Sequence, residues 1–427
     1  MERTLISDIK NFIDQEIFIK GRILNSRQLG PITFVQVRDY TGTVQVVFNT
    51  AQSVRPGDIV SITGKVVKEE RAKIGVEIHG TMCEVIAGSV SEWPFDITKK
   101  ELNLQLATLL DQRTLAVRHP KIVAIFKLYD LLLKYYESVM REEGFVEVKT
   151  PKILEAASEG GANFFKLKYF DRDAFLAQSP QLYKQILTGA FERVFEIGPV
   201  FRAEPHFTTR HINEYISLDA EMAMIDSFYD VIKMLSKVMK KIFNGMRSEG
   251  TEFLEQYKAT INEVPDEIPC YKLTDILEIL RERYNYNNPD ENDIDPEGER
   301  LACRFAQEEH TSDFIFITHY PWSAKPFYTM PDPANPQETL SFDLLYKGVE
   351  ISSGGQRIHT YDQLLKNIEA KGMSPKGLEF YLDTFKYAMA PHGGWGLGSE
   401  RIIQLILNLG SIKEATLFPR DVKRLNP

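Results

Sequence analysis

Cysteine is scarce in this chain. Cys83, Cys270 and Cys303 lie far apart in 427 residues, so there is no Cys-x-x-Cys pair and no disulfide framework, and structural zinc is not expected. Long apolar runs are missing too: no window approaches 18 uninterrupted apolar residues. The opening MERTLISDIK has neither a signal-peptide apolar core nor an Arg-rich transit pattern. A cytoplasmic protein with no membrane association is the expectation. Nor is there an excess of positive charge. The formal net charge is −9, which argues against indiscriminate nucleic-acid binding, so any nucleic-acid partner must be held by local basic patches. Residues 1–100 carry 13 Lys+Arg against 12 Asp+Glu, which puts the acidic excess in the rest of the chain.

With 43% hydrophobic and 26% charged residues, the chain is long enough to bury two cores. Residues 16–87 read as five short strands, EIFIKGRIL, ITFVQVR, TVQVVF, DIVSITGKVV and GVEIHGTMCEVI, with turn signals near their joins. Strands at that spacing suggest a small barrel. The OB-fold is the five-stranded candidate, and such barrels commonly bind single-stranded nucleic acid by stacking bases on aromatic rings. Residues 88–123 lose the period and read as a linker. After them Ile125, Leu128, Leu132, Tyr136, Val139 and Met140 recur at helical spacing up to a glycine stop in EEGF.

The chain is organised around Phe201–Met222, FRAEPHFTTRHINEYISLDAEM. The runs VFEIGPVFRAE and EYISLDAEM both alternate, which predicts a hairpin with Arg202 and Glu204 together on the first strand. Tyr215, Ser217, Asp219 and Glu221 share a face of the second, and that face is either solvated surface or a site. SFDLLYKGVEISSGGQR reads as strand, tight turn at Lys347-Gly348 and return strand, with Asp343 and Glu350 on opposite arms. Hard oxygen ligands of this kind suit Mg²⁺ beside a nucleotide. PHGGWGLGSERIIQLIL places a glycine-rich turn, able to cradle phosphates, before an apolar helix. SEGGANFF reads as a glycine turn, and Lys184 in QSPQLYKQ falls in a short helix. Residues 225–330 show no catalytic grouping, and the acidic NYNNPDENDIDPEGER, which lacks EF-hand order, reads as solvated surface.

FRAE, the basic loop ending in RHINEY, and LDAEM resemble motif 2 of class II aminoacyl-tRNA synthetases of the aspartyl branch. The amphipathic helix with VEVKTPKI resembles motif 1, the dimerisation element, with Pro151 at its key position, and the PHGGWGLGSER run resembles motif 3. QSPQLYKQ and EISSGGQR resemble aspartyl signatures, and SRQLGPITFVQVRDYTGTVQVVF resembles the aspartyl anticodon-binding domain. The tail LFPRDVKRLNP resembles the family's C-terminus, so the likeness covers nearly the whole chain, in a compact form similar to the archaeal and eukaryotic type.

The resemblance implies an α+β protein: an N-terminal five-stranded OB-fold barrel over 1–100, a linker over 101–123, and a class II catalytic domain over 124–427, an antiparallel sheet flanked by helices. Motifs 1, 2 and 3 then fall at about 124–152, 194–224 and 391–408. It implies activation of L-aspartate by ATP and transfer to tRNA-Asp, by a homodimer. Arg202 is expected on the α-phosphate, and His211 and Arg401, with Arg210, on the distal phosphates. Glu204 belongs to the same ATP site, and Tyr215 takes the adenine-stacking position, usually Phe. Asp343, Glu350 and Ser353 are expected to hold Mg²⁺. Lys184 and Arg357 are expected on the aspartate carboxylates, and Ser158, Glu159, Gln181 and Asp219 at the substrate's other end. In the barrel, Phe34 is expected to stack on an anticodon base while Arg27, Gln45 and Glu77 contact base edges. An asparaginyl-tRNA synthetase, a non-tRNA aspartate-activating paralogue and a non-catalytic tRNA-binding relative are the competing readings. Leu24, Glu70 and Arg71, in the loops that read the third anticodon base, leave tRNA-Asn open as a second acceptor.

Overall fold

The computed structural model describes residues 1–155, 164–205, 208–290 and 292–426. Ser158 and Glu159 lie outside the described residues. Contacts divide the chain into two compact units, Met1–Gln112 and Arg113–Pro427.

In the first unit, β1 (Glu16–Leu29), β2 (Ile32–Arg38), β3 (Thr43–Phe48), β4 (Ile59–Lys68) and β5 (Val76–Ala87) close into a barrel in the order β1-β2-β3-β5-β4. The β3–β5 pair is parallel and the other pairs are antiparallel. The period-two pattern dictates this: Val35, Val37, Val44 and Val46 point inward and are buried, which turns Phe34 and Gln45 to the outer face. Gly80 lets β5 cross Phe48, because a Cβ there would lie 2.2 Å from the Phe48 ring. The short helix α1 (Leu106–Asp111) follows.

The stretch expected to be a linker therefore carries structure. Beyond α1, α2 (Arg113–Ala116) opens the second unit, and its fully buried Arg113 donates to the carbonyls of Leu417 at 2.8 Å, Glu414 at 2.9 Å and Thr416 at 2.6 Å. Those bonds tie residue 113 into the second unit.

There, α3 (Pro120–Glu142) starts on a proline and buries all six residues that set its period. After it come β6 (Val146–Glu147), a small sheet of β7 (Ile153–Leu154), β8 (Lys166–Tyr169) and β9 (Arg172–Leu176), and then α4 (Gln181–Phe191). The central hairpin is β10 (Arg193–Phe201) and β11 (Glu214–Ala223), followed by α5 (Phe228–Glu249), α6 (Thr251–Tyr257), β12 (Cys270–Lys272), α7 (Leu273–Tyr284) and α8 (Pro296–His310). The chain ends through β13 (Phe314–Thr318), β14 (Ser341–Tyr346), β15 (Val349–Gln356), α9 (Tyr361–Ala370), α10 (Glu379–Phe385), β16 (His392–Gly398) and α11 (Ser399–Ile406). Eight strands form one sheet, in the order β12-β13-β14-β15-β16-β11-β10-β6, antiparallel except at β12–β13 and β10–β6. α3 packs against α5, and Tyr136 of α3 donates to the Asp219 carbonyl at 3.0 Å.

Two local expectations are corrected, and one alternative is decided. β10 stops at Phe201, so Arg202 and Glu204 stand in the connecting loop rather than on the strand. Asn213 closes that loop by donating its amide to the carbonyls of Arg202 and Glu204. The charged face of β11 is buried, not solvated: Ser217, Asp219 and Glu221 are all below one-tenth exposed. The glycine run PHGGWGLG forms the strand β16 rather than a turn.

Candidate active site

The β16 glycines explain how acidic residues fit in the middle of a sheet. Gly394, Gly396 and Gly398 lie directly across from Glu221, Asp219 and Ser217 of β11. A Cβ at Gly394 would meet the Ala220 carbonyl at 2.0 Å and Glu221 Oε2 at 2.4 Å, so the β11 backbone and the Glu221 carboxylate occupy the space that a side chain there would take. One row of paired residues crosses the sheet from Asp343 through Ser353 and Gly396 to Asp219. At the usual strand spacing its ends are roughly 14 Å apart. Over this floor opens a cavity of about 310 Å³.

At one end of the row, the turn at Lys347-Gly348 has positive φ at both residues, as a two-residue hairpin turn of type I′ requires. The ladder slips at Ile351, where Glu350 pairs with Leu345 and Ser352 with Leu344. That bulge puts Glu350 on the same face as Ser353 and Asp343; an unbroken strand would have turned it away. Burial and then the Asp343 carboxylate push the Glu350 carboxyl above its usual range. Two carboxylates and a hydroxyl held against each other fit a hard divalent cation, which would relieve that repulsion. Lys325 Nζ reaches both Asp343 oxygens, at 3.1 and 3.0 Å. Arg401, in the first turn of α11, donates to the Glu350 carbonyl.

At the other end is a buried quartet. Lys184 of α4, 2% exposed, donates to Asp219 Oδ1 at 3.0 Å and to the Trp395 carbonyl at 2.8 Å, and lies 3.5 Å from Glu221 Oε2. Arg357 donates to Glu221 Oε1 at 2.8 Å and to the Gly394 carbonyl at 3.0 Å. Burial pushes the Glu221 carboxyl up, yet Arg357 and Lys184 together hold it below the usual carboxylate range. Two cations and two anions balance in charge, which is the condition for keeping four ions out of water. Helix α4 turns Gln181 and Lys184 one turn apart onto the same buried side, with Gln181 at the cavity wall.

The hairpin loop lies between these ends. Glu204 faces Arg202 at 3.8 Å and His211 at 3.3 Å, and Arg210 faces Glu299 at 3.6 Å. Arg202 lies over the Tyr215 ring, 5.5 Å from its centroid. The base of the loop is pinned from the C-terminal tail: Asn213 N–H donates to the Arg420 carbonyl at 2.8 Å, and Ile412 N–H to that of Thr209 at 2.9 Å. Glu400 anchors α11 by accepting the Ile216 N–H at 3.0 Å and the Tyr129 hydroxyl at 3.3 Å, and its burial raises its pKa to about 7.

The six residues expected on ATP, Arg202, Glu204, Arg210, His211, Tyr215 and Arg401, line the cavity together with Glu350, which is expected at both the ATP and the metal, as do Gln181, Asp219, Ser353 and Arg357. Lys184 and Asp343 stand behind the lining, each bound to a residue that is part of it. Sequence reasoning missed Glu221 as a member of the site, although its alternation with Asp219 was visible. It also set aside residues 225–330. Lys325, Tyr328 and Thr329 from that stretch line the cavity, and Glu299 of the acidic loop reaches both Arg210 and the Glu350 N–H, the latter at 3.3 Å. Glu299 lies in the charged first turn of α8, where the sequence carries no signal that sets it apart. Burial first, and Glu350 second, raise its pKa to about 7.

On the barrel, Arg27 and Phe34 are directly paired on β1 and β2, and Gln45 of β3 donates to Glu77 Oε2 of β5 at 2.9 Å. All four thus occur on consecutive strands of the barrel order. His79, not anticipated, lies 3.0 Å from Glu77 Oε1.

An eight-stranded, mainly antiparallel sheet in one unit and a closed five-stranded OB barrel in the other define a class II synthetase architecture. Residues 105–422 match the family described as tRNA synthetases class II (D, K and N), and residues 17–86 match the OB-fold nucleic acid binding domain. The chain belongs to this class II family. It is 42% identical to an aspartate–tRNA(Asp) ligase of Pyrococcus horikoshii, over 97% of this chain and 96% of the relative. It is 40% identical to an aspartate–tRNA(Asp/Asn) ligase of Deinococcus radiodurans, over 100% and 99%. A solved asparaginyl-tRNA synthetase of Pyrococcus horikoshii, complexed with asparaginyl-adenylate, superposes with a TM-score of 0.91 at 32% identity, with both chains fully covered. Among the described residues, no helix is long and apolar enough to cross a membrane.

Proposed function

We propose that the chain is an aspartate–tRNA ligase: it activates L-aspartate with ATP to aspartyl-adenylate and pyrophosphate, then passes the aspartyl group to the 3′-terminal ribose of tRNA-Asp. The observation that carries this is the buried Lys184–Asp219–Glu221–Arg357 quartet at one end of the cavity. Both cations already have anionic partners, so asparagine would not leave them bare. Selection instead works by exchange. Asp219 turns to the substrate ammonium, with Gln181 beside it, and Lys184 takes the side-chain carboxylate while Arg357 offers its fork to a carboxylate. An amide in that place would leave Lys184 or Arg357 facing an N–H, which is a costly mispairing in a buried site.

The nucleophile, the substrate α-carboxylate, is already ionised, so activation needs no strong base. Arg202 holds the α-phosphate, and Arg210, His211 and Arg401 hold the distal phosphates. Glu204 and Glu299 keep three of these four side chains positioned until phosphates displace them. Tyr215 offers its ring to the adenine. Asp343, Glu350 and Ser353 would hold Mg²⁺, which when bound neutralises phosphate charge. The Phe34, Gln45, Glu77 and Arg27 face would read the anticodon. Val146 and Ile153, both exposed and apolar beside α3, support a symmetric homodimer, and a cytoplasmic location accords with a tRNA substrate.

The test is aspartate-dependent pyrophosphate exchange, together with charging of tRNA-Asp and tRNA-Asn transcripts side by side and an asparagine control. Aspartate charging of tRNA-Asp is expected; charging of tRNA-Asn as well would define a two-tRNA enzyme. Charging with asparagine would favour the asparaginyl reading, and exchange without any charging would favour the paralogue.

A further inference from the structure

We propose that His319, Asp332 and Glu338 form a second metal site in the catalytic unit, for a divalent transition-metal cation of the Zn²⁺ class, with water completing the shell. The ligand atoms of the three residues all lie within 4.8 Å of one another. They come from separate points of the chain: His319 follows β13, while Asp332 and Glu338 flank a loop closed by the Asp332 N–H donating to the Glu338 carbonyl at 2.9 Å. None of the three lines the active-site cavity.

The hydrogen bonds around His319 accommodate the tautomer that ligation needs. The Thr318 hydroxyl lies 3.3 Å from the Tyr271 carbonyl, to which it can donate, and Thr318 Oγ1, 2.9 Å from His319 Nδ1, can then accept from an Nδ1–H. In that tautomer the Nε2 lone pair is directed at two carboxylates. Nε2 stands 3.7 Å from Asp332 Oδ2, too long for a hydrogen bond but close to the roughly 3.4 Å edge of a tetrahedron with metal–ligand bonds of about 2.0–2.2 Å. A ring whose second nitrogen is tied by its N–H and whose free nitrogen meets carboxylates is the usual surrounding of a ligating histidine. His319 is also held at φ +57°, a conformation that a side chain other than Asn or Gly adopts at a cost.

Charge allows a dication. Asp332 and Glu338 carry two negative charges and Lys272, 3.1 Å from Glu338 Oε2, one positive; Asp275 is the other ionised group acting on the ring. Lys272 takes one oxygen of Glu338, and a carboxylate has another to give. Imidazole with carboxylate selects zinc-like ions over Mg²⁺. This revises the expectation drawn from cysteine scarcity, which covers only thiolate sites. The loop the ion would clamp carries Lys325, Tyr328 and Thr329 to the cavity wall, so the site would brace one side of the active site.

The test uses the full chain, stripped by chelator and titrated with Zn²⁺ by calorimetry in excess Mg²⁺, without ATP or tRNA, so that its outcome is independent of the synthetase activity. A single Zn²⁺ is expected to bind and raise the melting temperature. His319→Asn, chosen because Asn tolerates positive φ, and Glu338→Gln should each weaken binding about 100-fold or more. Thr318→Val, which removes only the acceptor that orients the ring, should weaken it about 10-fold. No uptake by the stripped wild type, or undiminished affinity in either ligand variant, overturns the proposal. Should His319→Asn fail to fold, the partly exposed Glu338→Gln decides.

Discussion

Glu221→Gln isolates the buried quartet. The carboxylate is fully buried between Arg357 and Lys184, and Gln keeps its shape while removing its charge. Two buried cations would then face Asp219 alone, and breaking a buried pair in this way costs about 3–5 kcal/mol. For a unit of more than 300 residues each kcal/mol shifts the melting temperature by about 1.5 °C, so a fall of roughly 5–8 °C is expected at neutral pH. The pH dependence separates charge from shape. The Glu221 pKa is depressed below its ordinary 4.5 in the folded protein. Its contribution to stability is therefore fully present above that value and is lost as pH falls through the folded pKa. Thermal melts of wild type and variant between pH 8 and the acid limit of folding should show a gap that is constant near neutrality and narrows below about pH 4.5. A gap that keeps its size into acid would mean the loss is steric, and no gap at any pH would refute the account of Glu221 as the anion that holds Arg357 and Lys184.

Other substitutions test the remaining parts. Arg202→Ala should lower pyrophosphate exchange about 10²- to 10³-fold, yet leave the melting temperature nearly unchanged, because the side chain is 48% exposed; a large loss of stability would speak against a phosphate-binding role. Phe34→Ala should weaken tRNA binding by about 1–3 kcal/mol while exchange stays at wild-type rate, and equal loss of both would remove the barrel face from tRNA recognition. Glu400 has a pKa of about 7 when folded against an ordinary 4.5, so the native state binds more protons than the unfolded one between those values and its stability falls as pH rises through them. Glu400→Gln should therefore gain stability relative to wild type between pH 5 and pH 8 in denaturant titrations, and an unchanged difference would mean that Glu400 is already ionised at pH 5.

The period-two and helical signals carried most of the fold. The barrel strands match to within a few residues, and the buried face of α3 is the expected one. What escaped them was set by contacts distant in sequence. FRAE continues the alternation of β10, but Asn213 caps the hairpin and pulls Arg202 and Glu204 out of the ladder. The run PHGGWGLG reads as a turn because glycine disfavours strands, and it forms β16 where the β11 backbone and the Glu221 carboxylate leave no room for a side chain at Gly394. Local propensity cannot register a carboxylate more than 170 residues away.

The same reasoning explains why the candidate site was legible by residue type but not by pairing. Arg202, Lys184, Glu350 and Arg357 are named by the likeness of their phrases to the aspartyl motifs. Which charges neutralise which is decided across the sheet. Taken one by one, Lys184 and Arg357 suggest a positive pocket waiting for an anion, but Asp219 and Glu221 already balance them. A neutral quartet selects aspartate only if one internal pair gives way, and the softer pair is the one to yield. Arg357 grips Glu221 through Nε and Nη2, with the Gly394 carbonyl as a further acceptor, whereas Lys184 meets Asp219 through a single contact and Asp219 lines the cavity. On the proposed reading the Lys184–Asp219 bond is thus the one that substrate would break, and Glu221 would stay fixed to keep Arg357 aimed when it did.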